Sequence, residues 1–305
     1  MHPAALEAVL SLIRCRRGLD LSEYRRSSLL RTISRRMRVG GFRDFAEYRA
    51  ALEAYEDELD RLVHDVLNRT TGFFRDASAW TTLARKVLAN WKQRRAQLRI
   101  WSAGCASGEE VWTAAILLNE VLGEDTYRNR VSIVATDVDR AALQCIREAC
   151  YSAAAVADVP EPLRSRYFLR DGARYRVVDR LRHAVSLAKH DLLHDPPVPG
   201  IDLLICRNTM IYFTDPARVT LLVRLHHVIS EAGLLFLGNT ELPLAAQPLF
   251  VPVDLRARIF LRNSRCRLRV AQARSGVPAF GAHRRCDEPD AISPDYPRNS
   301  VLCAT

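Results

Sequence analysis

The sequence lacks the features that mark a membrane protein or a disulfide-stabilised protein. None of its apolar runs approaches the length of a membrane-spanning helix, so we expect no membrane insertion. Its eight cysteines have no paired C-x-x-C spacing, which favours buried free thiols in a reducing compartment. At the start of the chain the arginines follow the apolar stretch, a pattern that does not fit a secretory signal. We therefore predict a cytoplasmic protein.

The signatures of several common enzyme classes are also missing. The sequence has no G-x-G-x-x-G spacing at its main glycine turn and no P-loop Gly-Lys-Ser/Thr after it. No Ser-His-Asp arrangement and no set of metal ligands is recognisable, so we predict no metal site. What is present is ample apolar material, 48% of 305 residues, and a formal net charge of +10. The charge indicates an acidic partner or substrate surface, and the length favours two domains.

Residues 1–70 predict a small all-helical domain. From Ala5 to about Leu67 apolar residues recur at helical spacing without a strand-like interruption. A second helix is predicted to open at Leu21 and to stop at Gly40-Gly41. It carries a dense set of arginines: Arg25, Arg26, Arg31, Arg35, Arg36 and Arg38. Because no equal number of acids balances them, they form either an ordinary solvated face or a docking surface.

Residues 71–264 alternate between strand and helix patterns, which predicts a doubly wound α/β domain with ligands at the carboxyl ends of its strands. The predicted strands are Leu98–Trp101, Arg130–Thr136, Val185–Ala188, Ile201–Cys206, Gly233–Gly238 and Arg258–Leu261. A hairpin with a turn at Asp171-Gly172 is predicted as an insertion at about residues 160–185. Residues 265–305 show no periodicity and are predicted to be a mostly disordered tail.

The stretch from Leu98 to Glu110 reads as a strand, a tight glycine turn and a helix start. Its two glycines allow a close approach of the backbone to a ligand, and the helix start offers free N–H groups. The pair Glu109-Glu110 would repel a phosphate but suits a ligand with a cationic amine. Asp137 ends the next strand, where a ribose diol is held in such sheets, and Asp139 is predicted to cap the following helix.

The domain junction, residues 68–76, has two possible functions. Its threonine hydroxyls and the Arg75 guanidinium could bind a carboxylate. Alternatively, Thr71 or Asp76 caps a helix that begins near Ala77.

Four segments taken together resemble one protein family. They are NRTTGFFRD, IWSAGCASGEEVWT, VATDVD and DLLICRNTMIYF, the last followed by AGLLFLGNTE. Over roughly residues 5–264 the chain resembles the CheR-type chemotaxis receptor glutamate O-methyltransferases. The resemblance implies a helical N-terminal domain and an S-adenosylmethionine-binding doubly wound sheet with an inserted antiparallel β-subdomain. That is the architecture already predicted.

The resemblance also implies roles in holding S-adenosylmethionine. Thr71 and Arg75 would close over its methionine end, Glu109 would meet its amino group, and Asp137 would bind its ribose. Asp191, at a position where the family often has Asn, and Leu192 would flank the adenine.

At the methyl-transfer site the resemblance implies Arg207, Asn208 and Tyr212. Arg207 would orient the incoming carboxylate, and Asn208 would contact the cofactor. Tyr212 would hold the carboxylate or the cofactor by its hydroxyl, or would merely pack. The chain departs from the family pattern at Arg69, where Asn is usual, and at Val111-Trp112, where Pro-Tyr is usual.

The predicted activity is methyl transfer to glutamate side chains of chemotaxis receptors. A glutamate carboxylate, with a pKa of about 4.3, is already ionised at neutral pH, so no general base is needed. The expected partner is the helical cytoplasmic domain of a receptor, docked by Arg25, Arg31, Arg35 and Arg38, with the enzyme as a monomer. In some members of the family that the chain resembles, the β-subdomain holds a tethering peptide at the receptor C-terminus, and those members have a longer loop in the hairpin. Because the hairpin loop here is short, we expect no dependence on such a tether.

Two alternatives remain. A nucleic-acid methyltransferase would suit the basic charge, but the loop CRNTMIYF is not the Asn/Asp-Pro-Pro-aromatic type that such enzymes usually use, so no nucleic-acid partner is expected. The second alternative is a regulatory module of the same fold that binds S-adenosylmethionine but has no methyltransferase activity. The chain keeps the family's residues at four site positions, which argues against it. They are Glu109, Asp137, Arg207 and Tyr212.

Overall fold

The computed structural model of the chain describes residues 3–67, 70–93, 96–242, 249–266 and 284–285. The chain divides into two compact units. The helical unit comprises residues 1–70 and 209–220, and the α/β unit comprises residues 71–208 and 221–305. The sequence did not predict that residues 209–220 belong with the helical unit.

The helical unit contains the helices that the apolar spacing predicts. They are α1 (Pro3–Arg17), α2 (Arg26–Gly40), α3 (Phe45–Ala54) and α4 (Glu56–Leu67). Helix α2 ends as predicted, because Gly41 adopts a φ of 74° and the N–H of Phe42 returns to the Met37 carbonyl. It begins at Arg26 rather than Leu21, a correction to the prediction. The residues before it are irregular, and Tyr24 forms an isolated antiparallel bridge with Phe213 of the same unit.

The α/β unit alternates strands and helices in chain order. Its helices are α5 (Ala77–Leu83), which continues through a π turn (Ala84–Leu88) into α6 (Ala89–Trp91), then α7 (Glu109–Leu122), α8 (Glu124–Arg130), α9 (Arg140–Glu148), α10 (Glu161–Tyr167), α11 (Asp179–Arg182) and the end of α12 (Asp215–Val228). Its strands are β1 (Leu98–Ala103), β2 (Val131–Asp137), β3 (Cys150–Ser152), β4 (Phe168–Asp171), β5 (Arg174–Val177), β6 (Val185–Lys189), β7 (Ile201–Cys206), β8 (Ile229–Leu237), β9 (Phe250–Asp254), β10 (Ile259–Arg262) and β11 (Arg284–Arg285).

The central sheet has the order β11-β6-β2-β1-β7-β8-β10-β9. The strands from β6 to β8 are parallel, and β9, β10 and β11 join antiparallel at the edges. The predicted doubly wound sheet is therefore confirmed, and β1, β2, β6 and β7 all end at one edge. Strand β9 was missed, because three consecutive exposed residues and Pro252 interrupt any alternation of apolar residues there.

The predicted insertion is a small antiparallel sheet in which β5 lies between β3 and β4. Asp171 pairs with Arg174, so the two-residue turn is Gly172-Ala173, one residue later than predicted. Helix α10 ends at Tyr167, directly before strand β4. Most of the predicted tail lies outside the described residues, but Arg284 and Arg285 pair with β6.

Gly108 directly precedes helix α7 in the glycine turn and has a φ of 95°. A Cβ added there would lie 2.4 Å from Cγ1 of Ile146, so both backbone conformation and space require glycine. Gly41 provides a matched control, because it is also left-handed, with a φ of 74° and a ψ of 17°, but no atom lies within 4 Å of an added Cβ.

We expect Gly41→Ala to lower the free energy of unfolding by about 1–2 kcal/mol, the cost of the left-handed backbone alone. Gly108→Ala should cost roughly a further 1–3 kcal/mol, because it also overpacks the contact with Ile146. Denaturant unfolding of the two variants measures the difference. Equal losses would show that the turn has room for a side chain.

Candidate functional site

The glycine turn after β1 is held against the end of β2. The main-chain N–H groups of Gly104 and Cys105 both donate to the carbonyl of Thr136, at 2.8 and 3.0 Å. The indole of Trp101 donates to the Thr136 hydroxyl at 2.9 Å. Because Thr136 directly precedes Asp137, these bonds place the turn beside the predicted ribose ligand.

Asp137 lies half-buried at the end of β2 and is joined to the same turn. Its Oδ2 accepts from the N–H of Ala106 at 2.9 Å, and its Oδ1 accepts from the N–H of Asp139 at 3.0 Å. A carboxylate has about four acceptor sites, so these bonds still leave it able to accept from hydroxyl groups. Asp139 caps α9 through the N–H of Ala141 at 2.8 Å, which confirms that prediction.

Glu109 and Glu110 form the first turn of α7, and both are withdrawn from solvent. Glu109 is 8% exposed and accepts from the Ser107 hydroxyl at 2.7 Å. Burial raises the pKa of the Glu109 carboxyl, and the Ser107 bond opposes the rise. Burial also raises the pKa of Glu110 to about 7, although the nearby Arg207 lowers it. The sequence analysis gave Glu110 no separate role.

Arg207 follows β7, and its guanidinium is the centre of a buried ion-pair network. The side chain is 1% exposed and donates to Asp76 at 2.7 Å and to Glu110 at 3.2 Å. It also donates to the main-chain carbonyls of Arg75 at 3.1 Å and Leu237 at 3.4 Å. The network therefore joins the domain junction, the start of α7 and the ends of β7 and β8.

Two aromatic rings line the same guanidinium. Its carbon lies 5.3 Å from the ring centre of Trp80 and 4.8 Å from that of Phe236. Cation–π attraction of this kind is strengthened when water is excluded. The Arg207 side chain is thus held by acids at one end and by aromatic faces beside it.

The junction segment is packed rather than loose. Phe73 is buried between Tyr151 and Phe168 in edge-to-face contacts, and the N–H of Phe74 donates to the Thr113 hydroxyl at 3.0 Å. Thr71, half-buried, precedes this anchor.

Arg75 is exposed and holds Arg207 and Trp80 through its carbonyl. Helix α5 begins at Ala77 as predicted, but Asp76 makes no side-chain cap. The Asp76 carboxylate faces Arg207 instead. Asn68 and Arg69 lie outside the described residues.

Asp191 and Leu192 follow β6 in a tight turn. Asp191 accepts from the N–H of Leu193 at 2.9 Å and contacts the ring of His194 at 3.0 Å. Leu192 is buried. The N–H of the preceding His190 donates to the Asp137 carbonyl at 3.0 Å, which ties this turn to the ribose position.

Asn208 adopts a left-handed φ of 56°, and a buried acid that sequence reasoning missed holds it. Glu241, 3% exposed, accepts from the N–H of Asn208 at 2.7 Å. The only signal in the sequence was its place in GNTE directly after the GLLFL strand.

Tyr212 is part of the helical unit, unlike the other predicted site residues. It ends a 3₁₀ turn, Met210–Tyr212, and its carbonyl accepts from the N–H of Arg25 at 2.8 Å. The structure brings the remaining predicted residues to the carboxyl edge of the sheet or to segments bonded to it. They are Thr71, Arg75, Glu109, Asp137, Asp191, Leu192, Arg207 and Asn208.

The arginines of α2 are balanced by acids more than the sequence suggested. Arg35 pairs with Asp65 at 3.1 Å and Arg25 with Asp215 at 2.8 Å. The acids that pair with these two arginines come from other segments of the helical unit. Arg31 and Arg38 are exposed, and within the described residues no ion pair of either is seen.

Neither a membrane span nor a metal site is found where the structure is described. None of the helices in that part of the chain is long and apolar enough to cross a membrane. The same residues contain no group of three or more His, Cys, Asp and Glu side chains that could hold a metal ion. Cys105 and Cys206 are buried free thiols, as expected, but Cys15 is exposed, so the expectation of burial was wrong there.

The residues at the sheet edge fit S-adenosylmethionine better than a phosphorylated nucleotide. The turn and the strand end beside it present Glu109, Glu110 and Asp137, which would repel phosphate but suit a cationic amine and a ribose diol. The nearby guanidinium of Arg207 is already bound by protein acceptors. The fold and this donor set define the class as an S-adenosylmethionine-dependent methyltransferase domain.

Comparison with known families makes the assignment specific. Residues 69–257 match the model described as "CheR methyltransferase, SAM binding domain", and residues 4–67 match "CheR methyltransferase, all-alpha domain". The chain belongs to the CheR methyltransferase family, and its cofactor is S-adenosylmethionine.

Two similar proteins differ in how much of their length this chain spans. Chemotaxis protein methyltransferase 2 of Pseudomonas aeruginosa is 35% identical over 73% of this chain and 81% of its own length. An uncharacterized 104.1 kDa protein of Rhodobacter capsulatus is 32% identical over 85% of this chain, but the match spans 28% of that protein. A solved structure of the plantazolicin methyltransferase BpumL with SAH, 14% identical, covers 61% of this chain and 55% of its own with a TM-score of 0.35, too low to carry an argument.

We expect Asp137→Ala to weaken S-adenosylmethionine binding by about 1–3 kcal/mol, through loss of charge-assisted bonds to the ribose. Titration calorimetry measures this directly. Asp139→Ala is the matched control, because it removes a neighbouring acid that caps α9 and should leave the affinity nearly unchanged. An unchanged dissociation constant for Asp137→Ala would remove this residue from the site.

Glu110 should make stability depend on pH. Because its folded pKa is raised to about 7, the stability it contributes is fully present below the unfolded value of about 4.3 and is lost as the pH rises to about 7. Between about pH 5 and pH 8 the free energy of unfolding should therefore fall relative to Glu110→Gln by roughly 1–3 kcal/mol. Denaturant unfolding at both pH values measures it, with exposed Glu124→Gln as control. Parallel pH curves for the wild type and Glu110→Gln would contradict the prediction.

Proposed function

We propose that this chain transfers the methyl group of S-adenosylmethionine to glutamate side chains of chemotaxis receptors in the cytoplasm, giving glutamate methyl esters and S-adenosylhomocysteine. The observation that carries the proposal is the set of acids around the glycine turn, joined to the buried Arg207 network, in a chain of the CheR methyltransferase family. Relatives that are 35% and 30% identical to this chain are named chemotaxis protein methyltransferases.

When bound, S-adenosylmethionine supplies an electrophilic methyl group on a sulfonium. The chain is then required to align a carboxylate and to exclude water, since a glutamate is already ionised at neutral pH. Glu109 would meet the amino group, Asp137 the ribose, and Asp191 and Leu192 the adenine. Thr71 and Arg75 would lie at the methionine end. Asn208 would contact the cofactor, and Tyr212 would hold the carboxylate or the cofactor.

The decisive experiment incubates the protein with S-adenosylmethionine labelled in its methyl group and membranes that carry candidate receptors. A glutamate methyl ester is hydrolysed by mild base, whereas a methylated amine is stable. We expect the receptor to carry label that mild base removes. The rate of labelling should be unchanged when the last residues of the receptor are removed. Label on nucleic acid, or cofactor binding without any transfer, would favour the two alternatives instead.

For Arg207 the contacts support a positioning role rather than direct contact with the substrate carboxylate. Its guanidinium is almost fully buried and is bound by four protein acceptors, among them Asp76 and the Arg75 carbonyl. Removing one partner of a buried ion pair costs about 3–5 kcal/mol, so a conservative change is the better probe.

We expect Arg207→Lys to lower both S-adenosylmethionine affinity and turnover by about tenfold or more, because lysine lacks the planar fork that holds the Arg75 segment. Calorimetry and initial rates measure the two quantities. Exposed Arg85→Lys is the control. A loss of turnover with unchanged affinity would instead support direct orientation of the substrate carboxylate.

The receptor is proposed to dock on the arginines of α2 and on Arg25, which directly precedes it. Arg25 and Arg35 each pair with an acid of the same unit, so they are the weaker candidates. The exposed Arg31 and Arg38 are the sharper test. Attraction between exposed charges is screened beyond about 8 Å at physiological salt.

Methylation by the wild type should therefore fall steeply as salt is raised, and Arg31→Glu with Arg38→Glu should lower the rate and flatten that dependence. Rates across a salt series measure this. The double reversal Arg85→Glu with Arg128→Glu changes the net charge equally at exposed positions of the α/β unit. If both double variants give the same salt curve, the α2 arginines form only a solvated face.

A further inference from the structure

Glu241 is the most deeply buried acid near the site, and the proposed chemistry gives it no task. It is 3% exposed. Its Oε2 atom accepts from the main-chain N–H of Asn208 at 2.7 Å and from that of Gly238 at 2.9 Å. Asn208 lies two residues after the end of β7, and Gly238 lies directly after β8. These two strands are parallel neighbours in the sheet. One carboxylate oxygen therefore ties together the carboxyl ends of two strands.

The two strand ends approach so closely that a side chain at Gly238 would not fit. An added Cβ there would lie 2.7 Å from Nδ2 of Asn208 and 2.8 Å from its main-chain nitrogen. Asn208 itself has a φ of 56°, a left-handed conformation that Asn adopts more readily than most residues but that still costs more free energy than for glycine. Such a conformation persists only when its surroundings hold it.

Glu241 supplies that hold. Its carboxylate gives charge-assisted bonds to two N–H groups, which are stronger than bonds to a neutral acceptor. A turn bond from the N–H of Glu241 back to the Gly238 carbonyl, at 2.9 Å, fixes the acid beneath the loop. Arg207 lies directly before Asn208, and its side chain donates to the carbonyl of Leu237, the residue before Gly238. The two N–H groups that Glu241 binds are therefore adjacent in the chain to residues of the ion-pair network.

We propose that Glu241 is a positioning residue for S-adenosylmethionine: its carboxylate sets the backbone of Asn208 so that the Asn208 side chain can contact the cofactor. The inference rests on the family's cofactor and on the proposed role of Asn208. It does not depend on which protein accepts the methyl group.

The test is a double-mutant cycle on S-adenosylmethionine affinity, measured by titration calorimetry without any methyl acceptor. We expect Glu241→Gln to raise the dissociation constant about tenfold, as for the loss of one charge-assisted bond. In the Asn208→Ala background the same change should raise it less than about twofold, because the side chain that Glu241 positions is already gone. Glu241→Asp keeps the charge but shortens the reach, and should also weaken binding.

Asp202→Asn is the matched structural control. Asp202 accepts from the N–H of Arg99 at 2.9 Å, another carboxylate bond across two strands, but at the opposite end of β7. We expect it to lower the melting temperature while leaving the affinity unchanged. If Glu241→Gln does not fold, the same double-mutant cycle is measured with Glu241→Asp.

Three results would overturn the inference. They are an unchanged affinity in both Glu241 variants, equal effects with and without the Asn208 side chain, and an equal loss of affinity in Asp202→Asn. Failure of the unaltered chain to bind S-adenosylmethionine would refute the proposed function as well. Binding by the unaltered chain without transfer to receptors would refute only the proposed function.

Discussion

The buried guanidinium of Arg207 is the interaction on which the site depends. A charge that is withdrawn from water is costly unless it is paired, and here Asp76 and Glu110 provide the pairing from segments far apart in the chain. Because each partner comes from a different element, satisfying this one charge fixes the domain junction against the start of α7 and the end of β7. The aromatic faces of Trp80 and Phe236 exclude water from it.

Around that centre the site is built from main-chain bonds rather than from long side chains. The glycine turn is held by the Thr136 carbonyl, Asp137 by two N–H groups, and Asn208 by Glu241. Such bonds leave little freedom for the residues that would contact a cofactor. A site of this kind suits a reaction whose main requirement is alignment, since its nucleophile needs no activation.

The two units differ in where their charged side chains lie. In the α/β unit the carboxylates of Asp76 and Glu110 pair with the buried guanidinium of Arg207, and burial raises the pKa of Glu110 to about 7. In the helical unit Arg36 of α2 is largely buried against Glu58, whereas Arg35 lies at the surface and pairs with Asp65. The buried charges therefore shape the site, while the exposed Arg31 and Arg38 remain available for long-range attraction.

The sequence by itself determined most of the elements and their order, although not strand β9. The apolar run located strand Ile201–Cys206 at its observed bounds, and the cap at Asp139 followed from its position before helix α9. These signals lie within a few neighbouring residues, so no knowledge of the fold is needed to interpret them.

Only the tertiary structure decided which side chains meet. Arg207 and Asp76 are separated by 131 residues, and Glu241 reaches Asn208 only because β7 and β8 are adjacent. The acids that offset Arg25 and Arg35, and the place of Tyr212 in the helical unit, were hidden for the same reason. Local patterns set what each segment becomes, but contacts between distant segments depend on strand order and on the pairing of buried charges.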